Sequence, residues 1–172
     1  MTFNKIKHLV ILGLGSNIEP RVDFINQAIA EIKVAYQGEN IIYSSLYESE
    51  PVGFQSATNF INMCMMIKTS KSPLELLHLN KNIEQKLGRS VKKGDIYESR
   101  TIDIDILYFD QEIIKNRELI IPHSKLEKRK FVLIPLNQIA KDFIHPVFNK
   151  SNEQLLDECK DENQVILLEN RN

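Results

Sequence analysis

Thr101-Ile102-Asp103-Ile104-Asp105-Ile106-Leu107-Tyr108-Phe109 alternates apolar and acidic residues before it runs into a wholly apolar end. A period of two marks a strand with one face in a core, because successive side chains point to opposite faces. Ile102, Ile104 and Ile106 then enter the core, while Asp103 and Asp105 share the other face roughly 7 Å apart. Upstream lies a helix with a full start signal: Ser72 as N-cap, Pro73 at the first position and Glu75 three after the cap. Leu76, Leu79, Ile83 and Leu87 form its apolar stripe, and Gly88 can close it. Residues 60–67 and 41–47 read as strands, rich in β-branched, aromatic and sulfur-bearing side chains. Before them, Pro20 suits a first helical turn with Val22, Ile25, Ile29 and Ile32 along one face, and residues 9–14 form a buried strand ended by Gly15-Ser16-Asn17. The order strand, helix, strand, strand, helix, strand is the split βαβ pattern, which predicts an α+β, ferredoxin-like fold: an antiparallel sheet with helices packed against it.

Downstream the sequence offers an apolar Leu119-Ile120-Ile121, a short helical region at 125–130, an apolar run at 131–136 and a polar, helical tail. At 172 residues, with six Gly, six Pro and no linker, the expectation is a single domain over 1–172, with 151–172 as a C-terminal extension. With 22 Lys+Arg against 23 Asp+Glu, nothing global draws the chain to nucleic acid or an anionic membrane. Cys64 and Cys159 have no spacing for zinc or a disulfide framework, and no leader or membrane-length apolar run is present. The reading is a reducing, cytoplasmic protein.

Two carboxylates fixed side by side repel, and the arrangement makes sense when a divalent cation fills the gap. Magnesium suits, since it takes few protein carboxylates and completes its shell with water and phosphates. The bland alternative is a solvated sheet face. Lys86, Arg89, Lys92, Lys93 and Arg100 tilt the balance, because they bring phosphate-sized positive charges to one end of the strand. A second basic group spans 122–130, where His123 either donates to a phosphate oxygen or caps the helix that follows. The long connection at 48–59 is of the kind that binds a ligand or moves. Gly13-Leu14-Gly15-Ser16-Asn17 lacks the Lys-Ser/Thr of a P-loop and the third glycine of a dinucleotide fingerprint.

These segments, in this order, resemble the 6-hydroxymethyl-7,8-dihydropterin pyrophosphokinase family of the folate pathway, which transfers diphosphate from ATP. The likeness covers roughly residues 9–148 and is carried by Ile83-Glu84-Gln85-Lys86-Leu87-Gly88-Arg89 and Arg100-Thr101-Ile102-Asp103-Ile104-Asp105-Ile106-Leu107. Glu50-Pro51-Val52-Gly53, Asn59-Phe60-Ile61-Asn62, Ile121-Pro122-His123 and Arg129-Lys130-Phe131 support it. The resemblance implies a monomer whose partners are ATP and the pterin, with two Mg2+ held by Asp103 and Asp105. It implies catalytic roles at the phosphates for Arg89, Lys92 and Arg100. Glu84, Lys92, Tyr97, Arg100, Ile106, His123, Ser124 and Arg129 would contact the nucleotide. Ser49, Val52, Phe60, Asn62 and Phe131 would hold the pterin, the two rings sandwiching it and the amide reading its polar edge. By composition alone, plain core packing is the better reading of Phe60 and Phe131. The chain departs from the family at Tyr97-Glu98-Ser99, where Trp-Gly-Pro is frequent, at Lys81 and at Ser124. Two rival readings are another magnesium-dependent phosphoryl or nucleotidyl transferase, and an RNA-binding or ligand-sensing module. The latter lacks its paired sheet aromatics.

Overall fold

The structure, a computed structural model, describes residues 7–89 and 98–169. β1 (His8–Ser16) and α1 (Arg21–Tyr36) are followed by β2 (Glu39–Tyr43), β3 (Leu46–Ser49), β4 (Phe60–Thr69), α2 (Pro73–Lys86) and β5 (Asp103–Phe109). A hairpin of β6 (Ile114–Lys115) and β7 (Ile120–Ile121), a 3-10 turn (Leu126–Lys128), α3 (Lys130–Ala140), α4 (Asn152–Asp157) and β8 (Val165–Glu169) come after. The main sheet runs β5-β1-β4-β3-β8, with β2 also on β4, and every pairing is antiparallel. β4 therefore lies between β1 and the β2/β3 ribbon, which is the ferredoxin-like arrangement.

Several local expectations change. The strand expected at 41–47 is two strands, broken where Ser44 and Ser45 turn their hydrogen bonds inward. Ser44 Oγ accepts from Cys64 N at 2.9 Å, and Gln138 Oε1 accepts from Ser45 N at 2.7 Å. Serine hydroxyls and amide side chains compete with the ladder in this way. β1 does not end at Leu14 but continues through Gly15 and Ser16. Pro20 is the extended N-cap of α1 rather than its first helical residue. Of the helix expected at 125–130 only the 3-10 turn forms, and the apolar 131–136 belongs to α3, with Pro135 inside it. The tail is helical only at α4, whose Ser151 and Gln154 form a capping box. Val165-Ile166-Leu167-Leu168 then takes the edge that β3 leaves open, as a branched apolar run does when a strand edge is available.

The sheet carries two cores. Val10, Leu12 and Leu14 of β1, Ile67 of β4 and Ile104 and Ile106 of β5 pack with Ile25, Ile32, Leu76 and Ile83 of α1 and α2. On the opposite face Ile11, Cys64 and Leu107 pack with Leu133 and Leu136 of α3 and Leu155 of α4. A register shift at Ile11/Leu12, where β1 passes over Leu107, lets Leu107 and Tyr108 both join this second core. Residues further along the same face, Gly13, Gly15, Asn62, Asp103 and Asp105, border an open cleft. The part of this face that the helices leave uncovered is where polar chemistry is displayed.

Candidate active site

The floor of the cleft is set by strand register. Gly15 pairs with Asp103 of β5 on one side and with Asn62 of β4 on the other, while Gly13 pairs with Asp105 and Cys64. Directly opposed residues share a face, and strands lie about 4.8 Å apart, so Asp103 and Asn62 stand about 10 Å apart with only a glycine between them. Space there is tight as well as open. A Cβ on Gly15 would lie 3.2 Å from Asn62 Oδ1 and 3.7 Å from Phe60 Cδ1. Asn62 Nδ2 donates to Ser49 Oγ at 2.9 Å, which fixes the amide plane.

The carboxylates are held from α2. Its capping box at Ser72 and Glu75 forms as expected. At the other end Gly88, at φ 85°, closes a Schellman motif in which Gly88 N donates to Gln85 O and Arg89 N to Glu84 O. That closure turns the Arg89 guanidinium onto Glu84 and onto Asp103 Oδ1 at 2.7 Å. Arg100 Nη1 donates to Asp103 Oδ2 at 2.6 Å. Burial pulls Asp103 upward, but Arg89 and Arg100 outweigh it and hold its carboxyl below the ordinary value. Asp105 has no such clamp among the described residues: His123 Nε2 lies 3.8 Å from its Oδ2, beyond hydrogen-bond reach. Burial, and then the charge of Asp103, push Asp105 up to about 7. Burial and Asp103 likewise push Glu84 up to about 7 against the pull of Arg89, and Glu84 Oε1 accepts from Ile104 N at 2.7 Å.

Two clefts meet at this acidic pair. One is bordered by Ser49, Val52, Phe54, Phe60, Asn62 and Phe131 over the glycine floor. The other is bordered by Lys81, Glu84, Arg89, His123, Ser124 and Lys125. Arg100, Asp103, Asp105 and Arg129 belong to both. All five residues expected to hold a pterin thus fall in one cleft, where Phe60 and Phe131 are half-buried walls rather than core. Arg100 lies over the Phe60 ring at 5.9 Å and Arg129 over the Phe131 ring at 5.6 Å. Of the expected nucleotide contacts, Glu84, Ser124, His123, Arg100 and Arg129 border the second cleft. Ile106, 5% exposed beneath α2, is not among the residues bordering it, whereas Ile104, equally buried on the same face of β5, is. Lys92 and Tyr97 lie outside the described residues.

His123 fulfils the capping reading through one ring nitrogen and leaves the other turned to the site. Nδ1 accepts from Lys125 N at 3.3 Å, at the entry to the 3-10 turn, which leaves Nε2 facing Asp105. Burial and the neighbouring Arg129 lower His123 to about 4, so its ring is neutral in the ligand-free protein at pH 7.

Sequence reasoning missed the part played by Gly13, Gly15, Phe54 and Asn17. The signal for the glycines was their own two-residue spacing, matched to that of the aspartates across the strand pair. Phe54 lies in the long 48–59 connection and meets Phe60 edge-on at 6.1 Å. Buried Asn17 ties that connection to the approach to β5: its Oδ1 accepts from Arg100 N at 2.8 Å, and its Nδ2 donates to Ser99 Oγ at 3.0 Å and Ser56 Oγ at 3.2 Å.

The donor set fits a hard cation that brings its own ligands. Among the described residues no group of three or more His, Cys, Asp or Glu is arranged to hold a metal, which excludes a closed zinc-type site from them. Asp103 and Asp105 offer two oxygen ligands, the pattern of magnesium bound together with phosphates. The raised Asp105 also gives a test in the metal-free protein. An acid whose folded pKa exceeds its ordinary 3.8 adds stability that is complete below 3.8 and is lost as pH rises through about 7. With chelator present, Asp105→Asn is therefore expected to melt above the parent at pH 8, and the gap should close as pH falls toward 4. A gap that stays constant across that range in calorimetry would contradict the assignment.

Comparison with known proteins identifies the family. The family model described as 7,8-dihydro-6-hydroxymethylpterin-pyrophosphokinase matches residues 11–141. The chain is 41% identical over 156 residues to the 2-amino-4-hydroxy-6-hydroxymethyldihydropteridine pyrophosphokinase of Aquifex aeolicus, covering 91% of this chain and 92% of that protein. It is 40% identical over 138 residues to the Bacillus subtilis protein of the same name, covering 79% and 80%. A crystal structure of Plasmodium falciparum HPPK-DHPS with pteroate shares the fold at a TM-score of 0.70 and 18% identity; the match covers 92% of this chain and 43% of that one. The glycine-floored cleft and its acidic pair thus lie within the matched segment, and the chain belongs to the 7,8-dihydro-6-hydroxymethylpterin-pyrophosphokinase family.

Proposed function

We propose that the chain transfers diphosphate from ATP to the hydroxymethyl group of 6-hydroxymethyl-7,8-dihydropterin, releasing AMP. The hydroxymethyl oxygen attacks the β-phosphorus in line, the new O–P bond forms, and the bond from the β-phosphorus to the oxygen bridging it to the α-phosphate breaks. One observation supports this reading most: the row Asp103–Gly15–Asn62 sets an amide that can read a pterin edge about 10 Å from the acidic pair, with nothing taller than a glycine between. A flat heterocycle fits there between Phe60 and Phe131, with its hydroxymethyl arm toward the carboxylates.

Asp103 and Asp105 would hold two magnesium ions; when bound, these neutralise and orient the triphosphate and stabilise the charge that develops on the leaving oxygen. Arg100 and Arg129 border both clefts and are placed to pass from carboxylate and ring contacts to phosphate oxygens. Lys92 would add a further charge. Arg89, pinned between Glu84 and Asp103, positions Asp103. Glu84, accepting through a carboxylate that burial makes unusually basic, faces the nucleotide cleft with Ser124 and His123. The same reading has the enzyme acting as a cytoplasmic monomer on two small molecules; none of the helices among the described residues is long and apolar enough to cross a membrane. Mixing the protein with magnesium, ATP and the reduced pterin should yield AMP in step with the pterin diphosphate. ADP as the product, or no pterin-dependent turnover, would refute it.

The glycine floor supplies a narrower test. Gly15→Ala presses a methyl on Asn62 Oδ1 at 3.2 Å while meeting Phe60 at an ordinary 3.7 Å, in a strand that tolerates alanine. Pterin affinity is expected to fall about three- to tenfold, the low end of what overpacking costs. Gly13→Ala meets only the flexible Leu107 side chain, at 3.4 Å, and should leave pterin affinity closer to the parent. Equal effects of the two substitutions in a fluorescence titration would remove Asn62 from the pterin site.

A further inference from the structure

α3 begins without a cap of its own. Its N-cap residue, Arg129, makes no side-chain capping bond, and the first turn contains no acidic residue. The partner comes from the C-terminal extension: Asp161 Oδ2 accepts from Lys130 N at 2.9 Å. The other oxygen, Oδ1, is held by Asn163, which donates from its backbone N at 3.1 Å and also from its Nδ2. Four residues after Asp161 the chain joins the sheet, Val165 pairing with Ser49 of β3. Such a span cannot exceed about 14 Å. One short segment therefore ties the helix end that carries Arg129 and Phe131 to the strand end that carries Ser49, and all three residues border the same cleft. The far end of α3 has a separate tie to the sheet. There Gln138 accepts from Ser45 N at 2.7 Å and from the Tyr47 hydroxyl at 3.1 Å, and its Nε2 donates to Ser45 Oγ at 2.9 Å.

We propose that Asp161 is a positioning residue for the pterin, and that residues 161–165 form a strap that sets the separation of Phe131 from the β3 wall. This rests on the reading of that cleft as the pterin site. A carboxylate at a helix N-terminus is favoured by the exposed N–H groups and by the helix dipole. Its loss would loosen the first turn of α3 while Gln138 keeps the helix docked. Ring stacking depends on close, parallel contact and suffers from such slack. The long Arg129 side chain, attracted to phosphate by charge, suffers much less.

The test uses the full chain with Asp161→Ala, Asp161→Asn and Phe131→Ala, titrated separately with the pterin and with an unreactive ATP analogue. Asp161→Ala should raise the pterin Kd about three- to tenfold, the range of a lost cap, and the nucleotide Kd by less than about twofold. Asp161→Asn keeps an oxygen for Lys130 N and should recover most of the pterin affinity. Amide exchange gives a second readout: in Asp161→Ala, residues 130–133 should exchange faster while residues 136–139 keep their protection. The proposal is overturned if Phe131→Ala weakens pterin binding and Asp161→Ala does not, or if Asp161→Ala weakens both ligands equally and loosens both ends of α3. If Phe131→Ala leaves pterin affinity unmoved, the cleft itself has been misread, and the strap's role falls with it.

Discussion

Asp105→Ala is expected to lower turnover by at least about a thousandfold, the equivalent of several kcal/mol of charge stabilisation at the phosphates, while the fold is retained. Asp105 has a 39% exposed side chain, makes no arginine or lysine ion pair among the described residues and is pushed toward its neutral form by burial and by Asp103, so its removal costs the ligand-free protein little. Asp103→Ala should match it in lost turnover but not in stability. Relief of the like-charge pair would suggest that either substitution is harmless to the fold, yet both oxygens of Asp103 are engaged by arginines that are themselves only 17% and 11% exposed. Leaving Arg100 without its partner, and Arg89 with Glu84 alone, should cost about 1–3 kcal/mol; the partial exposure of Asp103 keeps this below the figure for a fully buried pair. Single-turnover AMP release and chemical denaturation read the two effects separately. Near-parental turnover in either variant would refute the metal assignment, and equal unfolding free energies for the two would refute the arginine clamp.

Phe131→Ala is expected to weaken pterin binding by on the order of 1–3 kcal/mol, roughly five- to hundredfold in Kd, from lost ring contact and apolar burial together. Phe131 is half-buried at the start of α3 and packs beside the second core without being buried within it. The substitution should therefore leave the unfolding midpoint close to the parent, where a true core phenylalanine would lose several kcal/mol. Calorimetric titration with the pterin beside a melting curve distinguishes the two. A large loss of stability with unchanged pterin affinity would return Phe131 to the core.

The alternation at 102–106, the capping box at Ser72 and the closing Gly88 were legible because each is a local rule with a local cause. The acidic pair was legible for the same reason: two residues two apart on a strand share a face whatever else the chain does. What could not be read were outcomes decided between distant segments. Residues 41–47 look like one strand, and only Cys64 and Gln138 reveal the break at Ser44-Ser45. Residues 165–168 become a strand because β3 has an edge to offer. In the site, the arginines were visible as charges near phosphates, but their seats on Asp103 depend on how the Schellman closure aims Arg89 and how Asn17 holds Arg100. The resemblance put Ile106 at the nucleotide; alternation puts it in the core beside Ile104, and both are buried at 5% exposure.

The bare floor at residues 13 and 15 also bears on inhibitor design. A compound resting directly on position 15 would press on a surface where any added side chain crowds Asn62, the amide proposed to read the pterin, as well. Escape from such a compound would have to arise in the rim, in the parts of the 53–59 connection that make no contact with the substrate. Chemistry that hugs the floor and shuns the rim should be the harder kind to evade.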